Sequence, residues 1–182
     1  MQISDKFYAV TIREYLALGD DPEAGEPALA KLLSGFSCPK NLDVERFLKK
    51  SAIEFTKKNQ SVTYVVLSVK DGSLLGYFTL ALKPLTIRGE TVSNTTKKKL
   101  LRVSELDKVS DTYTMAAYLI AQLGKNDTGG RDKEITGEEL IELAWMVIEE
   151  VQYMFGGMVT FLEAENEEKL LSFYRENRFS QF

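Results

Sequence analysis

The chain has 182 residues, is 44% hydrophobic and 27% charged, and carries a formal net charge of −4 with no histidine. That length supports one domain with its own core, and the acidic balance speaks against wholesale binding to nucleic acid or anionic membrane while leaving room for a local basic patch. The missing histidine excludes Ser-His-Asp and Cys-His nucleophilic sites, His-ligated zinc and histidine proton shuttles, so catalysis would rest on carboxylates, Tyr, Lys, backbone dipoles or a cofactor. The lone Cys38 cannot close an internal disulfide. The start, MQISDKFYAV, has no apolar leader core, and no apolar run approaches the roughly 20 residues of a membrane span. The expectation is a cytoplasmic protein with no membrane contact and no metal.

In chain order, Phe7–Tyr15 (FYAVTIREY) reads as a strand or as a strand followed by a helix. GDDPEAGEP reads as a loop, and Pro27 suits the first turn of a short helix, ALAKLLS, that Gly35 ends. Over Leu42–Lys58, residues Val44, Phe47, Leu48, Ser51, Ala52 and Phe55 fall at helical spacing, with Asn41 or Asp43 available as the cap. Its aromatics read as core. Ser61–Val69 is rich in β-branched residues, Lys70–Asp71–Gly72 supplies a hairpin turn, and Ser73–Leu82 is the return strand, with Pro84 closing it. Gly76 within that strand marks a bulge or a close backbone approach. Residues 83–110 read as connection, with a short helix in LLRVSELDKVS. The Lys97–Lys98–Lys99 run reads first as a solvated loop, with contact to a phosphate as the alternative.

The chain is organised around Thr112–Val151: a strand (Thr112–Leu123), a polar turn (Gly124–Ile135) and an amphipathic helix from Thr136–Gly137 onward. A strand feeding a helix through such a turn aims free backbone N–H groups at it, which suits an anion, although every strand–helix unit has a turn. Thr136-x-x-Glu139 is a capping box. Leu140, Ile141, Leu143, Ala144, Val147, Ile148 and Val151 form the apolar face, Glu138, Glu142, Glu149 and Glu150 the polar one, and Trp145 lies on the flank. A strand at Met158–Glu163 and a helix at Glu167–Glu176, ended by Asn177–Arg178, complete the chain. The fold class is α/β (α+β): a single domain over residues 1–182 with a mixed sheet, antiparallel in the hairpin and parallel where strand, helix and strand follow one another.

Three segments of this chain resemble the GNAT (Gcn5-related N-acetyltransferase) superfamily, the acyl-CoA N-acyltransferase fold. They are the hairpin SVTYVVLSVKDGSLLGYFTLAL, the unit AYLIAQLG…ITGEELIELA, and FLEAENEEKLLSFYRENRF, which is the most specific. Together they span about residues 40–179. The resemblance implies an acetyl-CoA-dependent enzyme that acetylates a primary amine directly, with pantetheine between the strands Thr112–Leu123 and Met158–Glu163. By position it implies that the backbone of Leu123, Gly124 and Lys125 faces the pantetheine. The backbone of Lys133, Glu134, Ile135, Thr136, Gly137 and Glu138 would face the pyrophosphate. Asn166 matches the family's cofactor-contacting asparagine and Tyr174 the tyrosine that protonates the departing thiolate. A histidine-free chain can run this chemistry, because the nucleophile belongs to the substrate. On the residues alone, Tyr174 is equally a helix aromatic covering the sheet, and Asn166 equally a cap of the last helix.

The chain departs from the family's pattern at four places. Ile135 stands where the pyrophosphate loop has its earlier glycine, with Gly129 and Gly130 upstream in a longer loop. Glu138 and Glu139 put negative charge in the helix's first turn. The closing Asn-Gly-Phe is Asn177–Arg178–Phe179. The family's last two strands are lacking, which leaves Met158–Glu163 as a sheet edge to be covered by a C-terminal continuation, by the N-terminal segment or by a partner subunit such as a second copy. The acceptor implied is a small-molecule amine, a peptide or a protein, with Glu163, Glu165 or water as base. FSCPKNLDVERFLKK with the hairpin also resembles GNAT toxins that acetylate aminoacyl-tRNA, which makes charged tRNA the alternative partner. A non-catalytic CoA-binding or interaction module is the reading from another class.

Overall fold

The structure, a computed structural model, describes residues 4–17 and 22–181. Among them, β1 (Phe7–Thr11) buries Phe7 and Ala9 and passes directly into α1 (Ile12–Leu16), whose start is fixed by the Thr11 hydroxyl accepting the Arg13 amide at 3.0 Å. The strand-then-helix reading of this segment holds. The next helix differs from expectation. α2 (Pro22–Ser34) takes in Pro27 and much of the segment read as a loop, while residues 19–21 of that segment lie outside the described residues. Gly25 here is a packing contact: a Cβ on it would stand 2.3 Å from the Tyr15 carbonyl oxygen. Burial of Leu29 and Leu33 holds the helix against the local breaker signals.

The segment read as one helix is two, α3 (Leu42–Lys50) and α4 (Ala52–Lys57), broken where Ser51 leaves helical geometry at φ −121°. Asn41 is the cap, its Oδ1 accepting the amides of Asp43 and Val44 at 3.1 Å. The apolar stripe still forms, through Val44, Leu48 and Ala52, but Phe55 is largely exposed.

β2 (Val62–Ser68) and β3 (Leu74–Arg88) make the hairpin, with Gly72 left-handed at φ 69° in its turn. The register shifts at Val66/Leu67 opposite Gly76, and a Cβ on Gly76 would lie 2.8 Å from the Gly124 carbonyl oxygen, so Gly76 marks both a bulge and a close approach. Pro84 does not close β3, which continues to Arg88. The register with β2 ends at Leu80, so farther along β3 that edge has no β2 partner and a residue without an N–H fits. What was read as connection therefore carries strand, then α5 (Asn94–Leu100) and β4 (Leu106–Asp107). The lysine run is helical, and the short helix lies upstream of LLRVSELDKVS rather than within it.

β5 (Thr112–Lys125), α6 (Gly137–Phe155), β6 (Thr160–Phe161) and α7 (Glu168–Glu176) follow. The sheet order is β1-β2-β3-β5-β4 with β6 also on β5; β5–β6 is parallel, and the β1–β2, β2–β3 and β4–β5 pairs are antiparallel. This is the mixed sheet flanked by helices that the sequence implies. β6 is only two residues long, and no strand follows α7 among the described residues. Residue contacts divide the chain into two compact units, Met1–Ala81 with Ile120–Val147 and Leu82–Leu119 with Ile148–Phe182. The first holds a core of Ile12, Leu29, Leu33, Phe36, Leu48, Val65 and Tyr77. The second holds one of Ile87, Leu100, Tyr113 and Met115. Among the described residues no helix is long and apolar enough to cross a membrane.

Candidate functional site

In the first unit the chain runs from the end of β5 through a turn to the start of α6, and hydrogen bonds from several of its polar side chains hold the turn. The hub is Asn126, only 4% exposed. Its Oδ1 accepts the amides of Ser37 at 2.9 Å and Thr128 at 3.1 Å, and its Nδ2 donates to the Leu74 carbonyl at 2.8 Å. Its own amide donates to Leu75 at 2.8 Å, and the Asp127 amide to Ser37 at 2.8 Å. One side chain thus ties the turn to the start of β3 and to the α2–α3 connection. A buried amide can be kept only where its donors and acceptors are met, and these are.

A 3-10 turn follows at Thr128–Lys133, with Gly129 and Gly130 left-handed at φ 64° and 79°. Lys125 closes it from inside: Nζ donates to the carbonyls of Asp132 at 2.6 Å and Ile135 at 3.1 Å. Arg131 reaches Asp71 in the hairpin turn and Glu134 in its own turn, both at 3.0 Å. The Ser73 hydroxyl and amide, and then Arg131, hold the Asp71 carboxyl well below the usual carboxylate range.

α6 then opens with the capping box. The Glu139 amide donates to Thr136 Oγ1 at 3.0 Å, and the Thr136 amide donates to Glu139 Oε2 at 2.7 Å. Glu138 stays exposed, and the Glu139 carboxylate folds back onto the first amide. It stabilises the helix there and occupies the Thr136 N–H that an incoming anion would use. The amides of Gly137 and Glu138 have no carbonyl four residues back within the helix and remain the donors suited to an anion.

The structure brings Leu123, Gly124, Lys125, Lys133, Glu134, Ile135, Thr136, Gly137 and Glu138 into this one strand–turn–helix. Their placements differ. Gly124 is buried, and a Cβ there would lie 2.5 Å from Val44 Cγ1, so its small size serves packing. Ile135, in the position of the family's glycine, is a core residue at 1% exposure. Lys133, Glu134 and Glu138 are exposed, while Leu123 and Lys125 are half-buried. β5 runs on to Lys125, whereas its parallel pairing with β6 covers only Tyr118↔Thr160 and Leu119↔Phe161.

Asn166 and Tyr174 belong to the second unit. Asn166 is exposed and does not cap α7, whose N-cap is Glu167 with no side-chain hydrogen bond. Tyr174 is half-buried between Phe173, at 5.2 Å between ring centroids, and Phe179 at 6.0 Å. Burial pushes its phenol above the ordinary value, so the hydroxyl is protonated throughout the neutral range. α7 ends in a Schellman turn: Arg178 is left-handed at φ 75°, and the Phe179 amide donates to the Tyr174 carbonyl at 3.0 Å. The position where the family pattern has Gly is thus left-handed in this chain with an arginine in it.

Asn126 is the residue sequence reasoning missed. The only signal was its place in GKND after a long strand, which reads as ordinary turn chemistry. Among the described residues there is no cluster of three or more His, Cys, Asp or Glu that could hold a metal ion.

No protein-family model matches the chain. No curated protein matches it either. Solved structures do. A tyrosine-to-phenylalanine variant of KacT is similar at TM-score 0.67 and 20% identity, over 97% of this chain and 88% of that one. AtaT complexed with acetyl-methionyl-tRNAfMet is similar at TM-score 0.62 and 17% identity, over 94% and 85%. A variant of the AtaT toxin bound to the C-terminus of the antitoxin AtaR and acetyl-CoA is similar at TM-score 0.58 and 15% identity, over 95% and 83%. With this likeness along nearly its whole length, the chain has the GNAT acetyltransferase fold that its sequence resembles.

Proposed function

We propose that this chain is an acetyl-CoA-dependent N-acetyltransferase that moves the acetyl group directly to a primary amine. The observation that carries the reading is the strand–turn–helix of β5 and α6, held rigid by Asn126, Lys125 and Arg131 and opening on the amides of Gly137 and Glu138. Those amides suit a pyrophosphate, and the backbone of Leu123, Gly124 and Lys125 would take the pantetheine. Bound there, acetyl-CoA would supply an acetyl group activated as a thioester.

Direct transfer needs a proton for the leaving sulfur, and Tyr174 Oη is the group assigned to give it. Burial makes that phenol a weaker acid than usual. A thiol titrates at about 8.5 and a phenol at about 10, so the transfer is uphill by at least about 2 kcal/mol, a modest part of a catalysed barrier. Asn166 is assigned to the cofactor. The test is release of free CoA thiol in the presence of a panel of primary amines. Tyr174→Phe should lower kcat by about 10²- to 10⁴-fold while leaving acetyl-CoA binding intact. An unchanged kcat would remove the acid role. Tight CoA binding with no transfer by the unaltered protein would make the chain a non-catalytic module instead. Below pH 10 or so the rate should rise as the acceptor amine loses its proton, with no falling limb from Tyr174, because its raised value keeps the phenol protonated over that range.

The aminoacyl-tRNA acceptor is the second reading, favoured by the likeness to AtaT in complex with acetyl-methionyl-tRNAfMet. Incubating the protein with acetyl-CoA and a mixture of charged tRNAs, then analysing the released aminoacyl groups, tests it. Acetylated aminoacyl groups support it, and free amino acids alone, from an enzyme active on other amines, reject it.

A further inference from the structure

Two side-chain amides stand near the end of β5, in the same unit, and the fold treats them differently. Asn126 has its carbonyl oxygen met by Ser37 and Thr128 and its nitrogen by Leu74. Gln122 belongs to the strand itself, immediately before Leu123, Gly124 and Lys125. The residue is half-buried, yet its Oε1 is buried, and among the described residues no hydrogen bond reaches that atom. Gln122 lies two residues before Gly124 and so on the same face of the strand, the one on which a Cβ at 124 would meet Val44, Phe36 and Tyr77.

Such a group is costly in the folded chain. A carbonyl oxygen taken from water without a donor loses its hydrogen bonds, and a Met or Leu would fill the same space without that loss. The hydroxyl oxygens of Thr56, Ser61 and Thr160 are also buried and unmet among the described residues, so being unmet does not by itself set Gln122 apart. Two things do. A hydroxyl both donates and accepts, whereas an amide oxygen only accepts, so its missing partner has to be a donor. The second is position, because Gln122 adjoins the stretch of backbone assigned to the pantetheine.

We propose that Gln122 Oε1 accepts a hydrogen bond from the amine to be acetylated, and so orients the nucleophile and selects primary over secondary amines. The proposal deepens the transferase reading and rests on it. With the pyrophosphate at the start of α6 and the arm along Lys125, Gly124 and Leu123, the acetyl end lies toward the earlier residues of β5. The donor that arrives at that end is the amine. A neutral oxygen suits it, because a carboxylate in the same place would stabilise the ammonium, which has no lone pair to attack with. A primary amine brings two N–H groups. One stays on nitrogen and is held by Gln122. The proton of the other is lost to water as the C–N bond forms, the C–S bond breaks and the departing sulfur takes up a proton. A secondary amine has only the N–H that must be lost, so the contact works against it.

The test compares the full chain with Gln122→Met, which keeps the length of the side chain and removes its polar end. Acceptors are glycinamide, L-phenylalaninamide and benzylamine, each beside its N-methyl derivative, and the mixture of charged tRNAs. The expected result is a kcat/KM for the primary amine lower by about 10- to 100-fold, with a smaller loss for the N-methyl amine. Acetyl-CoA affinity should be unchanged, and the urea midpoint equal or higher, since an unmet oxygen is removed. In Gln122→Glu the rising limb of the pH–rate profile should move to higher pH, because the carboxylate holds the amine protonated. A kcat/KM unchanged in Gln122→Met overturns the proposal and leaves the transferase reading standing. Weaker acetyl-CoA binding in that variant overturns it too, by giving the contact to the cofactor. So does a lower urea midpoint, which would mean that the oxygen is met within the protein. If the unaltered protein binds no acetyl-CoA, or acetylates none of these acceptors, the transferase reading fails and the proposal with it.

Discussion

The turn between β5 and α6 and the tail that carries Tyr174 are held in opposite ways. In the turn, buried and half-buried groups from three stretches of sequence meet. Asn126 bonds Ser37 and Leu74, Arg131 bonds Asp71, and Lys125 fastens the carbonyls that precede α6. In the tail, the ties are local. Arg175 pairs with Glu168 two turns earlier on the same helical face, Asn177 Nδ2 donates to the Phe173 carbonyl at 2.8 Å, and Tyr174 meets Phe173 and Phe179 of its own helix end edge-on. Long-range ties fix a backbone to the precision an anion site needs. Local ties fix the geometry of the helix and its end, and leave its placement to the packing of its half-buried face, Leu170, Leu171, Phe173 and Tyr174.

The largest expected effect breaks the rigid side. Asn126→Ala leaves the amides of Ser37 and Thr128 and the carbonyl of Leu74 without their partner, and should cost about 3 kcal/mol of unfolding free energy by urea titration. A cost under about 1 kcal/mol would mean that water replaces the side chain and that the hub is not what orders the turn.

Next comes Gly124→Ala, whose methyl would stand 2.5 Å from Val44 Cγ1 and should cost about 2 kcal/mol. Adding Val44→Ala should return part of that loss, since the clash is with a side chain. Loss with no recovery in the double variant would place the fault elsewhere. On the local side, Arg178→Gly removes the left-handed penalty at the end of α7 and should raise stability by up to about 1 kcal/mol, read as a higher midpoint. A fall would show that the arginine side chain contributes more than its backbone conformation costs.

These sites also mark how far the sequence could be read. The capping box at Thr136 and Glu139 and the hairpin with its Asp-Gly turn were legible, because each depends on a few adjacent residues whose chemistry has one good solution; Gly76 was legible as a glycine inside a strand, although the Gly124 carbonyl it makes room for was not. Pro27 inside α2 and Pro84 inside β3 were misread as boundaries. Both are local breaker signals overruled by neighbours far along the chain, the buried Leu29 and Leu33 in one case and the end of the β2 register in the other. The break at Ser51 carried no glycine or proline to announce it. β6 was expected over Met158–Glu163 and pairs only at Thr160 and Phe161, since a strand's length is set by its partner as much as by its own residues. Within the candidate site, the strand–turn–helix was legible as a unit and Asn126 was not. An asparagine in a turn signals loop chemistry, and only the fold shows that this one is buried at a junction of three segments.

The smallest predicted effect bears on the anion seat itself. Glu139→Gln keeps a side-chain oxygen for the Thr136 amide and removes the charge that lies on the helix start. Stability should change by less than about 0.5 kcal/mol, while acetyl-CoA binding should tighten by about two- to five-fold. Unchanged affinity would place the pyrophosphate away from this helix start.

The central claim is that the β5–α6 turn seats the pyrophosphate of acetyl-CoA. Calorimetric titration of the full chain with acetyl-CoA, alongside Glu139→Gln, tests it most directly. The account predicts saturable one-site binding in the micromolar range that tightens in the variant. No saturation at millimolar ligand in either protein would contradict it.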